Sequence, residues 1–331
     1  MRKSAWLLGS LLILSLSMLA LNSLAPTPKV QPVNIGILLA NDARLAKVEG
    51  LQAGLDSLGY KRDQEAIYHI QSAQNDLNKL PELARSLIEA KPDVLVAAGA
   101  IEAQALKTAT VQTHRPVVVM GALSPVDLGL VTSTAHPGGN LTGLNNYHQE
   151  LTAKRLEFLH RLLPDVHRVA VLGDTRVPFF AETERDVQKT ALAFNLDIHT
   201  YTVSTPEGIN KTLNEIAAAP MEAILLLPGF FLETNTQSIV ESALLMSIPV
   251  FGVYPGDTAQ GCLASYGAAY RDQGEQSAHI VAKILQGQPP GEIPIETPDK
   301  LVFSVNLKTA KRLNIHPRAS ILSFADNVIQ P

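Results

Sequence analysis

The sequence predicts an α/β protein made of two lobes, each built on a doubly wound parallel sheet. Short apolar runs typical of buried strands alternate with segments whose apolar residues recur at helical spacing. This β–α order favours parallel pairing in a sheet that is covered on both faces. The series then runs a second time at similar length, and a chain of 331 residues is long enough for about two domains.

The first series begins after a proline-rich stretch. Its predicted strands lie at residues 34–39, 65–71, 94–98 and 117–120. Its predicted helices lie at residues 45–58, 77–90 and 101–110. Pro81 is compatible with the second of these helices because it falls in the first turn, where a backbone N–H has no helical partner.

The second series repeats the pattern without detectable residue-level similarity to the first. Its predicted strands lie at residues 169–172, 197–203, 223–227 and 250–253. Its predicted helices lie at residues 151–163, 179–194, 206–218 and 232–245. The two series therefore predict two lobes that join near residues 145–150.

Charge and cysteine content exclude several kinds of partner and site. The net charge is −4, and no run of Lys and Arg follows the N-terminus, so a nucleic-acid partner is not expected. Cys262 is the single cysteine, which excludes an intrachain disulfide and a cysteine-cluster metal site. We expect Cys262 to be a small buried hydrophobic residue.

The N-terminus has the pattern of an export signal. Arg2 and Lys3 precede an apolar run at residues 5–21, and a Pro-Thr-Pro break follows. We therefore assign residues 1–25 to a signal peptide or N-terminal anchor and residues 26–32 to a linker.

Cleavage of this segment is uncertain from the sequence. Ser23 and Ala25 are small residues at the spacing of a cleavage site, but Pro26 follows and should slow cleavage there. An uncleaved anchor is the alternative, since the apolar run approaches the length that spans a bilayer. No cysteine follows the run, so a lipoprotein anchor is excluded.

The ends of the predicted strands identify a candidate binding cleft. Ligands of open parallel sheets bind beyond the carboxyl ends of the strands, and two facing lobes place these ends along one cleft. Glycine there lets backbone N–H groups approach a ligand, and the following helix N-termini favour anionic groups. The candidate ligand-binding residues are Asn41, Asp42, Gly99, Ala100, Ser124, Asn146, Asp174, Thr175, Phe230, Tyr254 and Tyr266.

Among these candidates, Phe230 and Tyr254 are predicted to stack on a planar ligand. Each directly follows a predicted strand of the second series and lies in a Gly/Pro turn. A ring in such a position can also serve as a core residue, so the two interpretations need a structure to separate them.

Sequence motifs for catalysis are missing. The chain has no G-x-S-x-G elbow, no phosphate-binding P-loop, no G-x-G-x-x-G after a strand and no H-E-x-x-H. His136 and His148 lie near the join of the lobes, and we expect surface or loop positions for both. The sequence therefore predicts a binding protein that is not an enzyme and that uses no cofactor and no metal.

Motifs in the middle of the chain resemble a known family. The sequences SPV (124–126), GLV (129–131) and HPGGNLTG (136–143) follow the order and spacing of a DPV…GLV…RPGGNVTG signature. Shorter matches are KRLE at 154–157, LP at 163–164, ASYG at 264–267, ILQG at 284–287, PIE at 294–296 and NLKTA at 306–310. Over nearly all of residues 33–328, the chain is similar to the ABC-transporter substrate-binding family that includes tryptophan-binding lipoproteins.

The resemblance implies a type I periplasmic-binding fold with three crossings between lobes, near residues 145–146, 261 and 290–291. Lobe 1 would comprise residues 33–145 and 260–291, and lobe 2 residues 146–259 and 292–331. The implied partners are a small-molecule ligand and the permease subunits of an ABC transporter. The implied protein is a periplasmic monomer that contacts a membrane only through its N-terminal segment, if that segment is uncleaved.

The chain departs from the family pattern at positions that bear on the ligand. Ala100 stands where the family usually carries a hydroxyl residue, and Ser124 stands where it carries Asp. Hydroxyl and backbone donors hold the carboxylate of an amino acid, while an acidic group holds its ammonium. Asp42, Asp174 and Asp257 could still supply the acidic partner, so the resemblance leaves open an amino acid or a related compound.

Two other functions stay open. A periplasmic receptor that signals to a membrane sensor would have the same fold, and an exported α/β enzyme is a further alternative. Repressors that share the fold carry a helix-turn-helix where this chain has its export segment.

Overall fold

The computed structural model describes residues 31–331. The assigned export segment and most of the linker lie outside the described residues. Within the described range, no helix has the length and apolarity needed to cross a membrane.

Two sheets organise residues 31–331. The strands are β1 (Val33–Leu39), β2 (Ala66–Ser72), β3 (Val94–Ala97), β4 (Val117–Ala122), β5 (Leu141–Asn145), β6 (Arg168–Gly173), β7 (Asp197–Thr202), β8 (Ala223–Leu226), β9 (Val250–Gly252), β10 (Ala264–Gly267), β11 (Val302–Asn306) and β12 (Asn327–Ile329). The first sheet has the order β2-β1-β3-β4-β5, and the second has the order β12-β11-β10-β9-β8-β6-β7. All pairs are parallel except β10 with β11.

Helices cover both faces of each sheet. They are α1 (Leu45–Ser57), α2 (Leu80–Glu89), α3 (Ala100–Ala109), α4 (Thr152–Leu162), α5 (Phe180–Ala193), α6 (Pro206–Ala218), α7 (Phe230–Leu245), α8 (Tyr270–Leu285), α9 (Leu307–Arg312) and α10 (Ala319–Leu322). Four buried apolar clusters result, one on each face of each sheet. The predicted fold class, two doubly wound lobes, is confirmed.

The strands are apolar runs because both of their faces are buried. Every residue of β3 and of β8 is buried, so neither strand shows an alternating pattern. The edge strands β2 and β7 are less buried, and most of their residues are half-buried or exposed. Pro81 lies in the first turn of α2, as the sequence analysis requires.

Two expected boundaries between the lobes were wrong. Strand β10 lies in the second sheet, where it pairs with β9 and β11, so the chain leaves that lobe after Gly267 and not near Gly261. After α8 the chain stays with the first lobe beyond Pro290. Ile295 packs in its core, and Glu296 exchanges backbone hydrogen bonds with Gly143 and Asn145.

Strand β5 was not predicted because its sequence, Leu-Thr-Gly-Leu-Asn, lacks a β-branched apolar run. It pairs with β4 and completes the first sheet. Gly143 has a φ of +144°, and a Cβ at this position would overlap the backbone of Val119. A glycine that weakens the strand signal is thus the residue that allows the close approach.

Helices α1 and α8 pack against each other through their glycines. A Cβ on Gly50 would overlap the carbonyl oxygen of Arg271, and a Cβ on Gly274 would overlap the carbonyl oxygen of Lys47. Gly54 lies one turn further along α1, and a Cβ there would overlap the side chain of Ala278. The two backbones therefore touch without intervening side chains, which fixes the start of α8 beside α1.

We predict that Gly50→Ala destabilises the protein by about 1–3 kcal/mol, the usual cost of overpacking a closed interface. The substitution gains helix propensity, which offsets at most about 1 kcal/mol of this cost. Urea denaturation measures the change. The matched control is Gly256→Ala, because no atom lies within 4 Å of the Cβ it would add. Equal stability of Gly50→Ala and wild type would contradict the packing argument.

Candidate ligand-binding cleft

A cleft of about 840 Å³ lies between the two lobes, at the carboxyl ends of the parallel strands. From the first lobe it is lined by the segments after β1, β3 and β4 and by the start of α8. From the second lobe it is lined by the segments after β6, β8 and β9. This is the location that the strand-end argument predicts.

Arg44 forms an ion pair with each lobe. Its Nη1 donates to both carboxylate oxygens of Glu102 on α3, each at 2.8 Å. Its Nε and Nη2 donate to the two oxygens of Glu233 on α7, at 3.1 and 2.9 Å. All three side chains are almost completely buried. Arg44 therefore links the first lobe to the second through a buried bridge.

The local sequence makes room for this bridge. A Cβ on Gly99 would overlap the guanidinium group of Arg44, so glycine is required where the two meet. One oxygen of Glu102 also accepts the backbone N–H of Ala40 at 2.8 Å, which fixes the carboxylate. Burial opposes the charge on Arg44, but the carboxylates of Glu102 and Glu233 hold its pKa well above the usual value.

The carboxylate of Glu233 remains ionised in this setting. Burial by itself would raise its pKa, but the adjacent charge of Arg44 outweighs burial and lowers the pKa below the usual value. Glu233 lies in the first turn of α7, where the helix dipole also favours a negative charge.

Lys47 lies in the first turn of α1, three residues after Arg44, which immediately precedes that helix. Its Nζ donates to the carbonyl oxygens of Ala98 at 2.6 Å and Met120 at 2.7 Å, at the ends of β3 and β4. The ammonium group also lies 5.0 Å from the ring centre of Tyr270. Burial, assisted by the charge of Arg44, lowers the pKa of Lys47 to about 7.

Aromatic rings lie beside these charges. Tyr254 packs on His148 at 4.6 Å between ring centres and on Tyr270 at 5.0 Å. The guanidinium of Arg44 lies 5.1 Å from the ring centre of Phe230. We call Arg44, Lys47, His148, Glu233, Tyr254 and Tyr270 the inner cleft.

The imidazole of His148 is neutral and has one fixed tautomer. Burial and the charges of Arg155 and Lys47 hold its pKa well below the usual value. Arg155 can only donate, so the 2.9 Å contact between its Nη2 and Nδ1 of His148 makes Nδ1 the acceptor. The proton therefore lies on Nε2, which has no acceptor among the described residues.

Six of the eleven candidate residues line the cleft: Gly99, Ala100, Asn146, Asp174, Phe230 and Tyr254. That they bind a ligand stays a prediction. Among them, the carboxylate of Asp174 already accepts four hydrogen bonds from Arg176. Burial would raise the pKa of Asp174, but these bonds hold it below the usual value.

The other five candidates do not line the cleft. Asn41 is buried, and Asp42 accepts a hydrogen bond from Ser72 at 2.6 Å near the surface. Ser124 is buried and contacts Gln149 at 3.1 Å, and Thr175 is exposed. Tyr266 packs edge-on against Phe158 in the core of the second lobe.

The structure also changes the assignment of two residues considered from the sequence. His148 lies in the loop after β5, as expected, but it is fully buried and lines the cleft, so the alternative of a surface position was wrong. Asp257, suggested as a partner for an ammonium group, accepts the backbone N–H groups of Val253 and Tyr254. It therefore closes a turn beneath the cleft.

Sequence reasoning missed the charged residues of the inner cleft. In the sequence, Lys47 looks like a surface residue of a helix, Arg44 like part of the turn before it, and Glu233 like an ordinary acidic residue near a helix start. The available signal was position, because each follows a strand-end loop by a few residues. Among the described residues, no cluster of three His, Cys, Asp or Glu is placed to hold a metal ion.

Comparison with known proteins agrees with this architecture. Residues 32–329 match the family described as ABC transporter substrate binding protein. The chain belongs to this family. As a family member it binds a small molecule outside the cytoplasm and serves an ABC transporter.

Individual relatives share the fold at low identity. The tyrosine-binding protein of Clostridioides difficile (strain R20291) is 27% identical over 317 residues, covering 93% of this chain and 87% of the relative. A conserved domain protein from Vibrio cholerae is 24% identical with a TM-score of 0.82. An ABC domain in complex with L-Trp from Streptococcus pneumonia is 23% identical with a TM-score of 0.80. Each structural match covers 90% of this chain and all of the other.

We predict that Glu233→Gln favours a more open arrangement of this substrate-binding protein. The substitution replaces the charge-assisted hydrogen bonds between Arg44 and the second lobe with weaker neutral ones, while Glu102 still balances the charge of Arg44. Small-angle scattering without ligand should give a larger radius of gyration than wild type. Glu241→Gln, on the exposed face of the same helix, is the control. An unchanged radius in Glu233→Gln would show that the bridge does not hold the lobes together.

Proposed function

We propose that this substrate-binding protein takes up an aromatic amino acid, of the tyrosine or tryptophan kind, and delivers it to an ABC permease. The observation that carries the proposal is the inner cleft, where aromatic rings border a buried group of opposite charges. The tyrosine-binding relative from Clostridioides difficile, which aligns over most of the chain, supports the same ligand class.

The aromatic rings suit the side chain of such a ligand. Phe230, Tyr254 and Tyr270 line the cleft together, and edge-to-face or offset contacts with a further ring are favourable. Each such contact contributes about 0.5–1.5 kcal/mol beyond the burial of apolar area. The first amides of α3 and α7 border the same space, and neither N-terminus has a side-chain cap.

We also propose where and how the protein acts. It is a periplasmic monomer, and any membrane contact of its own is through an uncleaved N-terminal segment. It works by binding alone, without catalysis. The basic start and apolar run of the N-terminal sequence support export.

The direct test is to identify the bound molecule. Protein purified without added ligand is denatured, and the released small molecules are analysed by mass spectrometry. Titration calorimetry with tyrosine, tryptophan, leucine and ribose follows. We expect tyrosine or tryptophan to bind most tightly, and binding of ribose alone would contradict the proposal.

We predict that Phe230→Ala weakens binding of the preferred amino acid by at least about tenfold, or about 1.4 kcal/mol. The ring borders the cleft beneath Arg44, so its loss removes a stacking surface. The melting temperature without ligand should change little, because Phe230 is only half-buried. Phe324→Ala, an exposed ring far along the chain, is the control. Normal binding together with a much lower melting temperature would make Phe230 a core residue instead.

A further inference from the structure

The inner cleft contains a positive and a negative region that are balanced but not paired with each other. Glu102, Arg44 and Glu233 together carry one net negative charge and are bonded as a unit. Lys47 in its protonated form carries one positive charge, and no carboxylate among the described residues lies within 4.0 Å of it. Separated charges of opposite sign suit a zwitterion, whose own charges are opposite and fixed.

Lys47 lines the cleft and has one donor that no hydrogen bond uses. An ammonium group has three N–H donors, and the carbonyls of Ala98 and Met120 use two of them. Lys47 is 3% exposed, so bulk water does not solvate its ammonium group. A buried cation of this kind is stabilised when an anion enters the adjacent space.

A second donor lies in the same inner cleft. His148 is fully buried, and its Nε2–H has no acceptor among the described residues. Buried donors without partners are uncommon in folded proteins, and a ligand is one way of satisfying them. Arg44, in contrast, already donates four hydrogen bonds to two carboxylates and has little capacity left.

We propose that Lys47, together with the Nε2–H of His148, binds the carboxylate of the ligand and so makes the cleft specific for amino acids over the corresponding amines and amides. This inference rests on the proposed function, because it assigns one end of the amino acid. The ammonium group of the ligand then pairs with Glu233, which belongs to the net negative unit of Glu102, Arg44 and Glu233.

The test compares two ligands on two proteins. Tyrosine and tyrosinamide share the ring and the ammonium group, but tyrosinamide lacks the carboxylate. Calorimetry on Lys47→Met should show at least tenfold weaker binding of tyrosine than wild type and little change for tyrosinamide. Lys189→Met, an exposed lysine on α5, is the control and should bind both like wild type.

Proton uptake provides a readout that does not need the amide to bind. Because the pKa of Lys47 is about 7 in the free protein, part of it is neutral above that pH, and pairing with a carboxylate raises its pKa. Wild type should therefore take up close to one proton on binding tyrosine at pH 8, measured in buffers of different ionisation enthalpy. Its affinity should fall as the pH rises above 7. Lys47→Met should lose this linkage.

The comparison of wild type with Lys47→Met also distinguishes proton uptake by Lys47 from proton uptake by the other titratable groups nearby. Arg44, Glu233, His148, Tyr254 and Tyr270 form the inner cleft together with Lys47, and Glu102 is bonded to Arg44. Asp257, with a pKa raised by burial to about 7, is the other group that titrates near this pH. All of these remain in Lys47→Met, so the difference from wild type belongs to Lys47.

The outcomes distinguish this inference from the proposed function. If wild type binds no aromatic amino acid, both are overturned. If wild type binds tyrosine but Lys47→Met binds it equally well, the assignment of Lys47 is wrong and the function stands. If Lys47→Met loses affinity equally for tyrosine and for tyrosinamide, Lys47 is a structural residue. If wild type binds tyrosinamide as tightly as tyrosine, Lys47 does not select for the carboxylate.

Discussion

The buried guanidinium of Arg44, held between a carboxylate of each lobe, is the interaction on which the arrangement of the cleft depends. Four hydrogen bonds and two opposite charges offset the cost of removing a cation from water. Glu102 anchors one side of the guanidinium to the first lobe, and Glu233 joins the other side to the second. The same bridge therefore determines both how the lobes are placed and how the charges of the inner cleft are balanced.

The contact between α1 and α8 determines which side chains lie next to the Arg44 bridge. Helix α1 carries Lys47, and α8 begins with Tyr270, so the glycine-mediated approach of the two helices brings an ammonium group next to an aromatic ring. The two helices are far apart in the sequence, and α8 is reached only after the chain has passed through the second lobe. The inner cleft is thus completed by the last return of the chain to the first lobe.

Local sequence pattern was sufficient for the fold but not for the chemistry of the cleft. Buried parallel strands are apolar throughout, so β1, β3 and β8 could be recognised from short runs alone. The strand β5 could not, because Gly143 is required by a backbone contact that lies outside its own segment. Positions after the strands identified six lining residues, whereas Arg44, Lys47 and Glu233 acquire their burial from the opposite lobe or a distant helix.

The charges around the cleft also bear on how fast a solute is captured. When Lys47 is protonated, Arg44, Lys47 and Arg176 are balanced by Glu102, Glu233 and Asp174, so this region then sums to zero charge. Long-range attraction of an ion requires an unbalanced field, and such attraction weakens as salt is added. A zwitterion has no net charge, so a field of either sign exerts no net long-range force on it. For a zwitterionic ligand, as proposed above, capture is limited by diffusion and by access to the opening between the lobes, and its rate should be nearly the same in dilute and in concentrated salt.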